Sequence, residues 1–223
     1  NLKCAHAVAV TSGALPALVA AVAAGGDAAV TSARVLFCIA RADPALARRV
    51  AEVPRALQAL VAAVAADDCG TKCAGELCNK AEADQGLARR VAEALGALPA
   101  LVAVVAAGGD AAFNSVTALT AVAEANPGLA RRVAEAPGAL PALVAAVAAG
   151  GKAAFNSAAA LLCMTRADPA LAWRAAEVPG ALPALVAAVA AAASGAAHDS
   201  LGALARVAQA GPELAQRVAK APG

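Results

Sequence analysis

The stretch that decides the fold is Gly13-Ala14-Leu15-Pro16-Ala17-Leu18-Val19. It returns, with substitutions, at steps of 42, 41, 42 and 42 residues, starting from Arg55, Gly96, Gly138 and Gly180. A second block, Leu46-Ala47-Arg48-Arg49-Val50-Ala51-Glu52, keeps nearly the same spacing and recurs, weakened at the end, from Leu87, Leu129, Leu171 and Leu214. Chance similarity does not hold one spacing over so many units. The chain is therefore predicted to be an array of structural repeats.

The period predicts one solenoid domain over residues 1–223. Residues 1–12 supply part of a unit. Five further units of about 42 residues follow, covering approximately residues 13–54, 55–95, 96–137, 138–179 and 180–223. The chain begins at Asn1 rather than Met, and no secretory signal is visible. We therefore expect it to be a fragment of a longer protein.

Each unit is predicted to hold three helices. The first begins at a capping residue followed by proline, as in Asp43-Pro44, and ends near Pro54; Asn126-Pro127 and Asp168-Pro169 repeat this start. The second helix is the Leu-Pro-Ala-Leu-Val run, and Gly25-Gly26 predicts a left-handed cap at its end. The third begins at Asp27, or its counterparts Asp68 and Asp110, and runs for about 14 residues.

The composition excludes several classes of protein. Of the 223 residues, 61% are hydrophobic, 2% aromatic and 15% charged, which argues against disorder. A net charge of +2 gives no overall field that would favour nucleic acid or a membrane surface. The longest apolar runs, residues 14–24, 97–107 and 181–193, fall short of the roughly 20 residues that span a bilayer. They are predicted to be buried helices, so no membrane insertion is expected.

Three helices in about 42 residues, with Gly-Ala-Leu-Pro opening the second, resemble the armadillo repeat family over nearly the whole chain. HEAT repeats, with two helices and a similar period, are the near alternative. The armadillo resemblance implies an all-α, right-handed superhelical solenoid of about five stacked units. In that fold the third helices line a concave groove, and all units share one continuous core.

The residues offer little for catalysis, and we expect neither enzyme activity nor a cofactor. No nucleophile elbow, zinc-protease motif or phosphate loop is present. His198 aligns with Phe113 and Phe155 and is predicted to replace a core residue. The six cysteines are predicted to be small, buried, reduced thiols, with a metal site or redox switch as the alternative. The cluster that raises that alternative is Cys69, Cys73 and Cys78.

Paired arginines recur along the predicted first helices, at Arg48-Arg49, Arg89-Arg90 and Arg131-Arg132. They could form a basic ridge that binds phosphate or an acidic partner. However, Arg48, Arg89 and Arg131 each precede a glutamate by four residues, and such pairs face each other on a helix. Local ion pairing is therefore the favoured prediction. Trp173 replaces an arginine of this ridge and is expected to pack over a neighbouring helix rather than to bind a partner.

The predicted third-helix face is the best candidate for function. In the armadillo family a tryptophan and an asparagine in each unit hold an extended peptide, but here Asn79 alone keeps the family's residue and no tryptophan is kept. The face is nevertheless polar and varies between units, whereas the leucine and valine positions recur. The candidate partner-binding residues are Arg34, Cys38, Arg41, Lys72, Asn79, Glu82, Asn114, Thr117, Glu124, Asn156, Arg166 and Arg206.

These observations predict a non-catalytic module that binds a peptide or partner protein segment in the groove. The alternative is a structural subunit that contacts a larger assembly through its ends or its convex surface. We expect no small-molecule substrate and no metal, and nucleic acid is disfavoured because the predicted groove has no aromatic stacking platform. The reduced cysteines and the lack of an export signal suggest the cytoplasm or another reducing compartment inside the cell.

Overall fold

The computed structural model describes residues 2–56, 59–60, 85–94, 96–191 and 196–222. These residues form fourteen α-helices and no strand. The helices are α1 (Leu2–Val10), α2 (Ala14–Ala24), α3 (Gly26–Ala42), α4 (Pro44–Glu52), α5 (Gln85–Glu93), α6 (Ala97–Ala107), α7 (Asp110–Ala125), α8 (Pro127–Glu135), α9 (Ala139–Ala149), α10 (Gly151–Ala167), α11 (Pro169–Glu177), α12 (Ala181–Ala190), α13 (Ala196–Gln209) and α14 (Pro212–Ala219). The prediction of an all-α fold is confirmed.

Helices of the same kind pack on one another from unit to unit. Third helices contact third helices, as α10 does with α7 and α13, and second helices contact second helices, as α9 does with α6 and α12. The first helices α5 and α8 also touch. A single cluster of buried leucine, valine and alanine side chains runs through these layers, with Leu143, Leu161 and Val133 almost fully buried. This neighbour-on-neighbour packing is the arrangement expected of a solenoid.

The predicted caps of the first helices are confirmed. The Oδ1 atom of Asp43 accepts a hydrogen bond from the backbone N–H of Ala45 at 2.6 Å. Asp168 does the same for Ala170 at 2.9 Å. Each side chain satisfies one of the backbone donors that a helix start leaves without an internal partner. At the third such start, Oδ1 of Asn126 accepts from the N–H of Leu129 at 2.9 Å.

The predicted cap at the end of the second helix is wrong in one respect. Gly150, which follows α9, has φ 75° and ψ −161°, an extended positive-φ conformation that is essentially restricted to glycine. The left-handed conformation occurs instead before the second helix, where Gly138 has φ 75° and ψ 2°. Arg55 stands at the corresponding position two units earlier and keeps a positive φ of 64°.

The third helices are longer than predicted. They span 17, 16 and 17 residues in α3, α7 and α10, and 14 in α13. The start at Asp110 is confirmed, whereas α3 begins one residue before Asp27, at Gly26. The positive-φ glycine allows a second helix to turn directly into a third, so no connecting loop separates them.

No single helix among the described residues is both long and apolar enough to cross a membrane. Two pairs of helices meet the length and composition test together. They are bent by 89° and 91°, and consist of Lys3–Val10 with Ala14–Ala24 and of Pro127–Glu135 with Ala139–Ala149.

Candidate partner-binding surface

The exposed faces of α3, α7, α10 and α13 form what we call the third-helix surface. On α3 the three candidate residues Arg34, Cys38 and Arg41 are all exposed. Arg41 holds its guanidinium carbon 5.7 Å from the centre of the Phe37 ring, a cation–π contact within the same helix. Three further candidates, Lys72, Asn79 and Glu82, lie outside the described residues.

A cleft lies beside these α3 residues, between α3 and α1. It has a volume of about 810 Å³, and its walls include Cys4 and Val8 of α1. Arg34, Cys38 and Arg41 line the opposite side. The three α3 candidates therefore do come together around one cleft.

Two candidates in the middle of the chain bond to each other. The amide Nδ2 of Asn156 donates to Oγ1 of Thr117 at 2.6 Å, which joins α10 to α7. Oγ1 of Thr120 in turn donates to the backbone carbonyl of Asn156 at 2.8 Å. Because these polar groups are half-buried or buried and bonded, their first effect is to fix one unit on the next. Asn114 is also half-buried.

A second cleft of about 580 Å³ crosses α7, α10 and α13. Two candidates, Glu124 and Arg166, line it together with Cys163. His198 and Asp199 of α13, which were not among the candidates, also line it. Arg206, the remaining candidate, is exposed on α13 and donates from Nη1 to Oε1 of Gln209 at 3.2 Å. Units that are far apart in sequence thus contribute side chains of both charges to one surface.

The cleft does not activate its thiol. The pKa of Cys163 is raised from 9.0 to about 11, mainly by burial and also by the nearby Glu124 carboxylate, while Arg166 opposes the shift. A thiol with so high a pKa stays protonated near neutral pH, and the thiolate is the reactive form. Cys163 is therefore poorly suited to nucleophilic chemistry despite lying in the same cleft as His198.

The prediction that the cysteines are buried is wrong for two of them. Cys4 and Cys38 are exposed, and Cys163 is half-buried. The cluster of Cys69, Cys73 and Cys78 lies outside the described residues. Within the described ranges no three cysteine, histidine or carboxylate side chains come close enough together to hold a metal ion.

The prediction for the phenylalanine column is also wrong. Phe113 is 37% exposed and Phe155 is 47% exposed, and His198, their counterpart in α13, is exposed as well. Helical spacing explains the error, since Phe155 lies four residues before Ala159 and eleven residues before Arg166 and so shares their face. That spacing, applied to Phe155, would have placed the aromatic residues on the third-helix surface.

The arginine ridge forms ion pairs, although only part of the predicted pattern is confirmed. Nε of Arg89 lies 2.7 Å from Oε1 of Glu93, the predicted partner, and this contact lowers the pKa of the glutamate. Arg131 instead places Nε 3.2 Å from Oδ2 of Asp168, the cap of the next first helix. The prediction that Arg131 pairs with Glu135 is wrong, because the inter-unit carboxylate offers the contact.

One arginine in each of three successive first helices, α8, α11 and α14, bonds to the preceding unit. Nη2 of Arg132 donates to the backbone carbonyl of Ala92 in the preceding first helix at 2.7 Å. The same bond joins Arg174 to Ala134 at 3.3 Å and Arg217 to Ala176 at 2.7 Å. The accepting residue is next to the last in each helix, where carbonyls lack an internal partner.

Trp173 packs against its neighbours, as predicted. The indole is half-buried on the core. Its Cζ2 atom lies 3.2 Å from the point that a Cβ at Gly211 would occupy. The glycine between α13 and α14 therefore makes room for the indole.

Comparison with known proteins identifies the fold. No protein-family model and no curated protein matches the chain. Among solved structures, computationally designed armadillo repeat proteins for modular peptide recognition align with a TM-score of 0.80 at 24% identity, over 93% of this chain and 87% of theirs. A designed armadillo repeat protein in complex with the peptide (KR)4 aligns with a TM-score of 0.77 at 22% identity, over 92% and 87%.

An engineered protein known from its crystal structure also aligns, with a TM-score of 0.77 at 24% identity over 92% of this chain and 85% of its own. The chain therefore has an armadillo-like repeat fold.

Proposed function

We propose that this chain is a non-catalytic protein–protein interaction module that binds an extended peptide or partner segment along the third-helix surface. The observation that carries this proposal is the cleft across α7, α10 and α13, which gathers Glu124, Arg166, His198 and Asp199 from successive units. A partner lying across the helices would meet a different set of side chains at each unit. A repeat array can therefore recognise a particular partner sequence while its own backbone stays the same from unit to unit.

The structural neighbours support this proposal. The designed armadillo proteins were built for modular peptide recognition, and one was solved in complex with the peptide (KR)4. Recognition in this chain would differ from that of the wider family, because the third helices that are described carry no tryptophan and use Asn156 between units. Side chains that differ from unit to unit, rather than one asparagine repeated in every unit, would hold the partner.

The proposal includes no cofactor, no catalytic residue and no small-molecule substrate. The protonated Cys163 thiol supports the non-catalytic assignment. Nucleic acid and membrane insertion are disfavoured by the near-neutral net charge and by the short apolar runs. We place the protein in the cytoplasm or another reducing compartment, where exposed thiols such as Cys4 and Cys38 remain reduced.

Charge reversal on the third-helix surface tests the proposal. Wild type and a triple variant, Arg34→Glu, Arg41→Glu and Arg166→Glu, which reverses cations of both clefts, would be compared in affinity capture from source lysate with mass spectrometry. A variant reversed at Arg89 and Lys220 is the control, because both cations are exposed away from the third helices. We expect partners to be lost in the first variant alone. Equal recovery from all three proteins would contradict binding on the third-helix surface.

A second candidate function is a scaffold subunit that docks through its ends. Leu201 of α13 is 56% exposed, whereas its counterpart Ala158 in α10, a helix that packs on both α7 and α13, is fully buried. Val10 of α1, near the other end, is 50% exposed. Partners that survive the third-helix reversal but are lost with Leu201→Asp would favour this second function.

A further inference from the structure

The most unusual feature of the third-helix surface is a pair of exposed aromatic side chains in register. Phe113 of α7 and Phe155 of α10 occupy the same position in two third helices that pack directly on each other. Single exposed apolar residues are common on protein surfaces, but these two recur at one repeat position on neighbouring helices, and we call them the aromatic patch. Leu162, seven residues after Phe155 and half-buried, lies on the same helical face.

The charged residue next to Phe155 has the opposite sign to its counterparts in α3 and α7. The first turn of α3 carries Asp27, and α7 begins with Asp110, whereas α10 has the exposed Lys152 at this point and no acidic residue in its first turn. A cation at a helix N-terminus opposes the helix dipole and is unfavourable there. Local rules of this kind are broken mainly where function requires it.

The cation is available to a partner. Among the described residues Lys152 has no ion pair, and it lies one turn before Phe155 on the exposed face of α10. Arg166, at the other end of that face, lies in the cleft lined also by Glu124 and Asp199, whereas Lys152 forms no ion pair with a described residue. The patch thus combines two aromatic rings with one lysine that is available for an ion pair.

Resting on the proposed function, we propose that the bound segment is acidic and apolar. Two large apolar side chains, three residues apart, contact Phe113 and Phe155, and a carboxylate next to the second pairs with Lys152. Packed helices lie about 8–10 Å apart. A polyproline II segment, which repeats every three residues, advances roughly 9 Å over that interval with both side chains on one side. The distance between neighbouring third helices therefore sets the distance between the two apolar side chains of the bound segment.

Selection from a displayed library of random peptides, about twelve residues long and so able to cross three or four helices, tests this inference. Wild type should enrich peptides of net negative charge with two large apolar residues three apart. Phe113→Ala and Phe155→Ala should each weaken the enriched peptides by about tenfold. Lys152→Asp, which introduces the residue found at this position in α3 and α7, should weaken them similarly while leaving thermal stability unchanged or higher. Lys220→Asp, which reverses an exposed lysine outside the third helices, is the matched control and should bind as wild type does.

The outcomes separate this inference from the proposed function. If enriched peptides are lost with the Arg34, Arg41 and Arg166 reversal but retained by Phe113→Ala, Phe155→Ala and Lys152→Asp, the third-helix surface binds peptides without the aromatic patch and the inference fails. Enrichment of basic peptides, or of peptides without paired apolar anchors, also overturns it. If no peptide is enriched by wild type, the inference and the proposed function fail together.

Discussion

The guanidinium of Arg132 donates a hydrogen bond to the backbone carbonyl of Ala92 across the boundary between two units, with 2.7 Å between Nη2 and O. Two further arginines make the same bond one and two units along the chain. Since helix C-termini carry partial negative charge, each contact joins a hydrogen bond to a favourable charge–dipole interaction. The arginines that could have formed a ligand-binding ridge therefore stabilise the stack.

Removing the Arg132 bond should weaken the array. Because the side chain is partly solvated, we expect Arg132→Leu to lower the free energy of unfolding by about 0.5–1.5 kcal/mol. Arg166→Leu, which removes an exposed arginine with no bond between units, is the control and should change stability little. Chemical denaturation followed by circular dichroism measures both. Equal midpoints for Arg132→Leu and wild type would show that the bond contributes nothing.

Arg55 occupies a backbone conformation that favours glycine. Its φ of 64° is left-handed, and the corresponding residue of other units is a glycine, as at Gly138. This conformation costs a non-glycine residue roughly 1–2 kcal/mol. Glycine avoids that strain, but it also makes the unfolded chain more flexible, which offsets part of the stabilisation. We therefore expect Arg55→Gly to stabilise the protein by about 0.5–1 kcal/mol.

The reverse change is the control for Arg55. At Gly138 an added Cβ would meet only Val102 Cγ1 at 3.8 Å, an ordinary contact, so Gly138→Ala tests the backbone conformation alone. It should destabilise by about 1 kcal/mol. If both substitutions shift the thermal midpoint in the same direction, the explanation by φ is wrong.

One serine in each of three third helices is buried without a partner. Within the described ranges, the hydroxyls of Ser115, Ser157 and Ser200 accept and donate no hydrogen bond. A buried unsatisfied hydroxyl costs about 1–3 kcal/mol, and alanine is the best helix former. Ser157→Ala is therefore expected to raise the free energy of unfolding by about 1 kcal/mol.

Thr120 provides the opposite case on the neighbouring third helix. Its hydroxyl is buried but bonded to the carbonyls of Val116 and Asn156, at 2.9 and 2.8 Å. Thr120→Val keeps the shape of the side chain but removes its hydrogen bonding and leaves the Asn156 carbonyl without that donor. We therefore expect the free energy of unfolding to fall by about 1 kcal/mol.

The opposite sign is expected for Ser157→Ala, so a destabilising Ser157→Ala would mean that the serine hydroxyl is hydrogen-bonded in solution.

The thiol of Cys163 should react slowly. Its folded pKa is raised from 9.0 to about 11, so the neutral thiol is the favoured form and the thiolate appears only as the pH approaches that value. At pH 8 the thiolate fraction falls by about a hundredfold relative to an unshifted thiol. Alkylation followed by mass spectrometry of the Cys163 peptide should therefore show a rate that still rises about tenfold per pH unit through about pH 10. A rate that levels off by about pH 10, as expected for a thiol with the ordinary pKa of 9.0, would contradict the raised pKa.

Much of the fold followed from local chemistry. The 42-residue period, the three helices and the caps at Asp43, Asn126 and Asp168 were all predicted, because capping and helix termination depend on residues close together in sequence. The armadillo-like fold followed from the same repeat. The number of units and the handedness of the superhelix stay predictions.

The candidate site was predicted less completely. The third-helix stripe was found because it varies between units, and the structure brings Glu124 and Arg166 to one cleft. The exposure of Phe155 was missed, since an apolar residue that recurs from unit to unit looks like a core residue in the sequence. Only the position of the neighbouring helix shows whether it is covered. His198 and Asp199 join the cleft through the stacking of α13 on α10, which no local pattern encodes.

The sequence alone determined the capped starts of the first helices and which leucine, valine and alanine positions recur in the core, because these depend on contacts within a few residues. Only the tertiary structure decided which side chains meet across units. Arg131 pairs with Asp168 rather than with Glu135. The side-chain amide of Asn156 donates to Thr117 of the neighbouring unit, whereas the sequence had suggested only a contact with a binding partner. These contacts join residues 37 and 39 positions apart, so they follow from the angle and spacing at which one unit packs on the next.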